Sequence, residues 1–411
     1  MVRKPLDDVT VIDVSSYVSA SFGTMILANL GAEVIKVEQP GDGDPARSAG
    51  PPFIDGESPY FMSVNYGKRS IELDLKSDDG LSILRELVAD ADAFVENFRP
   101  GTAERLGIDY ESLTDVNESL LYCSVSAFGE DGPWTDRPGY DLLIQGMSGL
   151  MSVTGEPDRP PVKAGVPVSD LVTGSWVAQG VLAALYERER SGEGERIELA
   201  MYDAILPYLT KHAGAVFAGE SPERMGSRDP VIAPYQVFEA ADGYLAVGIG
   251  SQKLWTEFCV AIDRADLATD DRFETNPDRV DHMDELEAEL EATFRERPVE
   301  EWVSLLADEH GLPVGPINDV ADALENEHVE ARGLLTEVDH PTADDVPVVE
   351  HPLRFGRLQS GFDDHAPVLG EDTRDLLTDH GYDDDEIESL AADRVIGSID
   401  TPADRNPGEE S

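Results

Sequence analysis

The run Val9-Thr10-Val11-Ile12-Asp13-Val14-Ser15, followed by Ser19–Leu30 and then by Glu33-Val34-Ile35-Lys36-Val37-Glu38, decides how this chain is read. The outer pieces are short, mostly apolar runs, as expected of strands covered on both faces. The middle piece reads as the helix that joins them. The rhythm repeats outward: strand Ile71–Leu75, helix Asp79–Ala91 with an acidic first turn, then strands over Ala93–Phe98 and Leu120–Ser126. Alternating strands and helices imply an α/β fold with a large doubly wound, Rossmann-like parallel sheet. The loop Gly41-Asp42-Gly43-Asp44-Pro45 does not fit G-x-G-x-x-G, and its aspartates would repel a pyrophosphate, so no dinucleotide fingerprint is read there.

Beyond strand Arg196–Met201 and helix Asp203–Phe217 the pattern changes. Residues 219–234 are rich in Gly, Pro, Ser and Arg and read as a linker. Tyr235–Ile249 alternates around Ala241-Asp242-Gly243, which fits a hairpin. Helices are predicted at Leu254–Ile262, Met283–Glu296 and Val299–Glu309. The expected division is 1–218 as the large domain, 235–319 as a small α+β domain, 320–397 as a linker and a return to the large domain, and 398–411 as an acidic, disordered tail. Within the return, strands are expected near Leu334–Val338 and Val346–Val349, and a helix over Glu371–His380.

Eighty-four acidic residues against 31 basic ones give a net charge of −53, and only seven residues are lysine. Such a surface repels nucleic acid and anionic membranes. With 41% hydrophobic residues the chain is not a disordered acidic protein. Adaptation to a cytoplasm with molar salt accounts for the charge, because the Debye length there is about 3 Å. Cys123 and Cys259 sit in apolar runs and read as buried hydrophobes in a reducing compartment. Nothing before Asp7 resembles a leader and no apolar stretch approaches about 18 residues, so a cytoplasmic, soluble protein is expected. The eight histidines lack metal-binding spacing, and no metal site is expected.

Asp170, in Gly165-Val166-Pro167-Val168-Ser169-Asp170-Leu171-Val172, is the candidate for chemistry. It opens a predicted helix, Leu171–Arg190, where unpaired N–H groups and the dipole would keep a carboxylate ionised. An ionised, desolvated carboxylate can attack a thioester carbonyl. On this segment alone a plain helix cap is the commoner reading. Cations are the anomaly elsewhere. Lys36, Lys68-Arg69 and Lys76 lie about the early strands, with Arg47 upstream of Lys68 and Arg99, Arg105 and Lys163 downstream. Several fall at strand ends, where a polyphosphate ligand would need them, and ion pairing with nearby acids is the alternative.

The order Leu30-Gly31-Ala32-Glu33-Val34-Ile35-Lys36-Val37-Glu38, Asn65-Tyr66-Gly67-Lys68-Arg69-Ser70-Ile71-Glu72-Leu73-Asp74-Leu75-Lys76, Val95-Glu96-Asn97-Phe98-Arg99-Pro100-Gly101 and Arg137-Pro138-Gly139-Tyr140-Asp141 resembles the class III CoA-transferases. The match runs on through Asp170 to Gly311-Leu312-Pro313-Val314-Gly315-Pro316, Ala331-Arg332-Gly333 and Leu369-Gly370-Glu371. The resemblance implies that Asp170 is the nucleophile. It implies that the stretch Leu73–Lys76 with Asn97, Phe98 and Arg105 holds the adenine and phosphates of coenzyme A, and that Tyr140 and Asp141 line the site. It further implies a ring-shaped chain interlocked with a second copy in a homodimer. The site would then lie between the large domain of one subunit and the small domain of the other. CoA thioesters would be substrates, with no permanently bound cofactor.

The expected chemistry is covalent: an aspartyl anhydride, then an aspartyl-CoA thioester, with N–H donors for the oxyanion near Gly248-Ile249-Gly250. Racemases of the same general resemblance carry His-Asp where this chain has Tyr140-Asp141, and tyrosine is a poor base at neutral pH. Formyl-CoA transferases carry glutamine at the position of Val18 and a longer glycine run near 248, which argues against oxalate. Arg47 or another nearby cation could pair with a second carboxylate of a dicarboxylic substrate. The resemblance, together with a salt-adapted host, implies succinyl-CoA as donor and mesaconate or a similar C4–C5 dicarboxylate as acceptor. A racemase-type isomerase, a hydrolase and a CoA-binding protein without turnover are the alternatives.

Overall fold

The structure is a computed structural model that describes residues 3–343, 346–361 and 364–398. It divides into two compact units, one of residues 1–148, 165–210 and 330–411 and a second of 149–164 and 211–329. In these terms the expected linker, 219–234, lies inside the second unit, and the chain returns to the first at 330. The tail expected over 398–411 lies, apart from Ser398, outside the described residues.

The first unit is built on six parallel strands, β1 (Thr10–Asp13), β2 (Glu33–Glu38), β3 (Arg69–Glu72), β4 (Ala93–Glu96), β5 (Leu121–Ser126) and β6 (Glu195–Ala200). Their order is β3-β2-β1-β4-β5-β6, so the winding reverses between β1 and β4. Open α/β sheets bind ligands at such a point. Alternate residues feed two cores. Ile12, Ile35, Ile71 and Phe94 pack on one face with Leu376 and Ile387, whereas Val11, Val34, Val95 and Cys123 pack on the other with Leu27, Val177 and Val181.

Four helices of this unit matter below: α1 (Ser19–Asn29), α2 (Asp78–Ala89), α3 (Asp141–Met147) and α4 (Val168–Ser191). By length and composition α4 could cross a bilayer, yet its Val177-Val181-Leu185 face is buried in the core of the unit. α1 and α4 meet through glycines. A Cβ on Gly23 would stand 2.6 Å from the carbonyl oxygen of Gly174, and one on Gly174 would stand 2.5 Å from that of Ser19. The C-terminal segment closes the β3 edge, where Asp372 accepts the Ser70 N–H at 2.8 Å. It carries a helix at Thr373–Asp379, and the strands Leu335–Val338 and Val346–Val349 pair antiparallel.

Several expectations are corrected. The strand expected at Ile71–Leu75 is Arg69–Glu72. The helix expected over Asp203–Phe217 is broken into Met201–Ile205, a tight turn at Leu206–Leu209 and Thr210–Phe217. Pro207 lies at the break, where it removes an N–H and crowds the preceding turn. The second unit forms the expected hairpin, Tyr235–Glu239 with Tyr244–Gly248, to which Val314–Pro316 adds a third antiparallel strand. Trp255, Phe258, Phe294, Trp302 and Cys259 are buried in its core.

Candidate active site

α4 begins three residues earlier than the sequence suggests, so Asp170 sits within its first turn and not at the cap. The cap comes from another helix. Asp141, the first residue of α3, accepts the Ser169 N–H at 2.9 Å and the Ser169 hydroxyl at 2.8 Å, and its second oxygen accepts from Gln145 Nε2 at 2.7 Å. Asp141 therefore carries the capping role that was the bland alternative for Asp170. Among the described residues no donor meets the Asp170 carboxylate. Burial, reinforced by the negative charge of Asp141, pushes its pKa up to about 7. This corrects the expectation that the helix terminus holds it ionised: desolvation outweighs the dipole.

Asp170 opens into a cavity of about 320 Å³ with Tyr17, Tyr60, Asn97, Phe98, Arg99 and Tyr140 on its walls. The loops after β1 and β4 supply Ser16, Tyr17, Asn97, Phe98 and Arg99, on either side of the reversal in strand order. Tyr17 and Tyr140 meet edge to face, ring centres 6.4 Å apart. Burial and the charge of Asp170 raise the pKa of Tyr60. Two further cavities adjoin this one at Arg99. One, of about 310 Å³, presents Arg99, Arg105 and Arg137, and among the described residues none of the three pairs with a carboxylate. The other, of about 390 Å³, is bounded by Tyr110, Tyr122, Glu96 and Arg196. Burial pushes Glu96 up to about 8 despite the Phe98 N–H that it accepts.

Lys36, Lys68 and Arg47 are spent inside the protein, whereas Lys76 and Lys163 are exposed. Lys36 pairs with Asp44 at 2.9 Å and Lys68 with Asp13 at 2.8 Å, all four side chains being buried. Arg47 makes a two-pronged pair with Glu38, donates to the Pro367 carbonyl and lies 3.7 Å over the Phe61 ring. It is thus engaged away from any substrate carboxylate. Burial alone would raise Asp13, but Lys68 and Lys36 hold it well below the usual carboxylate range. Burial pulls Lys68 down to about 8, against the attraction of Asp13.

The other expected residues fall as follows. Phe98 lines the Asp170 cavity, and Arg105 stands in the arginine-lined one. The Asn97 amide is taken up by Ser16 on both sides, accepting its N–H at 3.0 Å and donating to its carbonyl at 2.7 Å. Leu73 is buried in the core with its N–H bonded to the Glu38 carbonyl, while Lys76 is exposed. Val18 is buried at the start of α1. Gly248 and Gly250 belong to the second unit, where the Gly248 N–H is bonded to Pro313 and that of Ile249 to Pro234. Tyr17, Tyr60 and Arg137 also face these cavities, although no sequence pattern marks the two tyrosines as site residues. Arg137, three residues before Tyr140 in a quoted motif, was the one with a signal.

The profile of CoA-transferase family III matches residues 6–373. The chain is 37% identical to the mouse (Mus musculus) succinyl-CoA:glutarate CoA-transferase over 97% of its length and 92% of the relative's. It is 40% identical to an acetyl-CoA:oxalate CoA-transferase of Acetobacter aceti, over 90% of this chain and 94% of that one. A succinyl-CoA:mesaconate CoA-transferase of Haloarcula marismortui is 37% identical, over 92% and 97%. A solved CAIB/BAIF family protein from Brucella suis superposes with a TM-score of 0.83 at 37% identity, covering 92% of this chain and 99% of that one. The chain belongs to CoA-transferase family III. Its activity is the transfer of coenzyme A between acyl groups, with CoA thioesters as substrates.

Proposed function

We propose that this enzyme moves CoA from succinyl-CoA to a C4–C5 dicarboxylate such as mesaconate, with Asp170 as the covalent relay. The observation that carries the reading is a carboxylate and, next to its cavity, three arginines that among the described residues meet no counter-ion. Glutarate, oxalate and mesaconate, named for the relatives, are all dicarboxylates. Arg105 and Arg137 suit the phosphates of CoA, and Arg99, on the wall of the Asp170 cavity, suits the second carboxylate in the place first given to Arg47. No histidine is among the residues lining that cavity, which disfavours a racemase.

In the first step the ionised Asp170 oxygen attacks the thioester carbonyl, the C–S bond breaks, and CoA leaves as thiolate. The thiolate then attacks the Asp170 carboxyl carbon and releases succinate from the anhydride. The acceptor carboxylate and the Asp170 thioester run these two steps in reverse. Each exchange is between activated acyl groups, so the sequence is closed without another reactant. We place the enzyme in the cytoplasm of a high-salt host, as a homodimer, consistent with its charge of −53.

Mass spectrometry after incubation with succinyl-CoA in molar salt, with and without mesaconate, tests this. A CoA-sized or hydroxylamine-sensitive adduct on Asp170, discharged by mesaconate into a new thioester, supports both parts. An adduct that mesaconate leaves in place overturns the acceptor, and no adduct with any acyl-CoA overturns the nucleophile. Light scattering in the same buffer checks the dimer.

A further inference from the structure

Tyr17 has a φ of +60°, a left-handed conformation that side chains other than glycine rarely adopt without external support. The support here comes from side chains. The Ser15 N–H donates to Asp13 Oδ1 at 2.9 Å, and the Ser15 carbonyl accepts from Lys36 Nζ at 2.8 Å. Asn97 takes both the N–H and the carbonyl of Ser16, and the Tyr17 N–H donates to Asp44 Oδ1 at 3.1 Å. Five consecutive main-chain polar groups are thus held by four side chains, and two of those, Lys36 and Asp44, form a fully buried ion pair with each other. A buried pair is weak as a source of stability, so its retention calls for another use.

We propose that Asn97 and the Lys36–Asp44 pair are positioning residues that set Tyr17 as the acyl-length gate of the Asp170 cavity. Tyr17 and Tyr140, in edge-to-face contact, form one wall of that cavity, so the angle of Tyr17 fixes how much acyl chain fits beside the nucleophile. Asn97 acts on the acyl group through Ser16 and Tyr17, and not as a ligand of CoA. The gate favours compact acyl groups of the C4–C5 class and rejects chains longer than succinyl by two methylenes, such as adipyl.

The inference rests on Asp170 being the acyl acceptor, and the Asp170→Asn control separates the two: if that variant keeps turnover, the nucleophile assignment fails whatever the gate does. The test measures kcat/KM for succinyl-, glutaryl- and adipyl-CoA, together with CoA affinity by calorimetry, for Tyr17→Gly, Asn97→Ala and the double variant. Tyr17→Gly suits the left-handed backbone and deletes the ring, so it keeps the fold. It is expected to raise the adipyl-to-succinyl ratio about tenfold or more. Asn97→Ala should shift the ratio the same way with CoA affinity within about threefold, and the double variant should add nothing, because both changes act on one ring. Loss of CoA affinity in Asn97→Ala with an unchanged acyl ratio would overturn the assignment, as would an unchanged ratio in Tyr17→Gly. A Tyr17→Phe variant with the wild-type ratio would support the ring, and not the hydroxyl, as the gate.

Discussion

Asp13 is enclosed by Lys68 and Lys36, while Asp170 is enclosed by tyrosines and by the charge of Asp141. Both lie in the same unit and both are largely withdrawn from water. Counter-ions hold the first ionised at any ordinary pH, and the second is poised near neutrality. The contrast separates two uses of a carboxylate. One that must hold a frame is neutralised by partners, whereas one that must form and lose bonds is kept without them, because a hydrogen-bonded, ion-paired carboxylate is a poorer nucleophile.

The largest test of this contrast is Asp170→Asn, which should cut CoA transfer on the order of 10⁴-fold with the fold intact by circular dichroism. Asp13→Asn should instead act on stability. It strands the buried Lys68 ammonium, whose ion-pair partner it is, and is expected to cost about 3–5 kcal/mol in denaturant unfolding. In the wild type, Asp13 is held low, so its contribution is present above the ordinary carboxylate range and is lost as pH falls through its folded value.

Asp170 has the opposite sign. Its folded pKa of about 7 lies above the unfolded 3.8, so wild-type stability falls as pH rises from about 4 to 7. Asp170→Asn should therefore be more stable than wild type at pH 8, on the order of 1–2 kcal/mol given the partial exposure of the group, with no difference below pH 4. Melting curves at both pH values check it. In kinetics, kcat/KM should rise through an apparent pKa near 7, and Asp141→Asn should move that limb to lower pH by removing a like charge. The smallest effect belongs to Glu96→Gln. With a pKa of about 8 the carboxyl is already neutral at pH 7, so the amide should change stability there by no more than about 0.5 kcal/mol. A large loss would show that Glu96 is ionised.

Strand–helix–strand order was legible because short apolar runs separated by turn residues carry it locally. The start of α4 was less so, since Val168 and Ser169 are helical only because Asp141, 28 residues away, receives the Ser169 donors. The arginine and lysine cluster was half legible. Its cations are real, but which of them face a ligand depends on pairings across strands: Asp13 lies opposite Lys36 in the β1–β2 register, a neighbourhood no local pattern displays. Offering Arg47 to a substrate carboxylate and giving Arg137 no role both follow from that blindness. Asp170 itself was found through its motif, while its protonation could be judged only once the burial around it was known.

The contact between Gly23 and Gly174 has a consequence for how this site can change over time. Where two helices touch backbone to backbone, with Val177 and Phe22 packed hard against the contact, little is left to shrink, swell or rotate, so the seam transmits position like a machined joint. The nucleophile rides on one part and the loop of Ser16 and Tyr17 leads into the other. Substitutions elsewhere in the core can therefore drift without disturbing the alignment of Asp170 with its cavity, while a single added methyl at the seam would force the two parts apart.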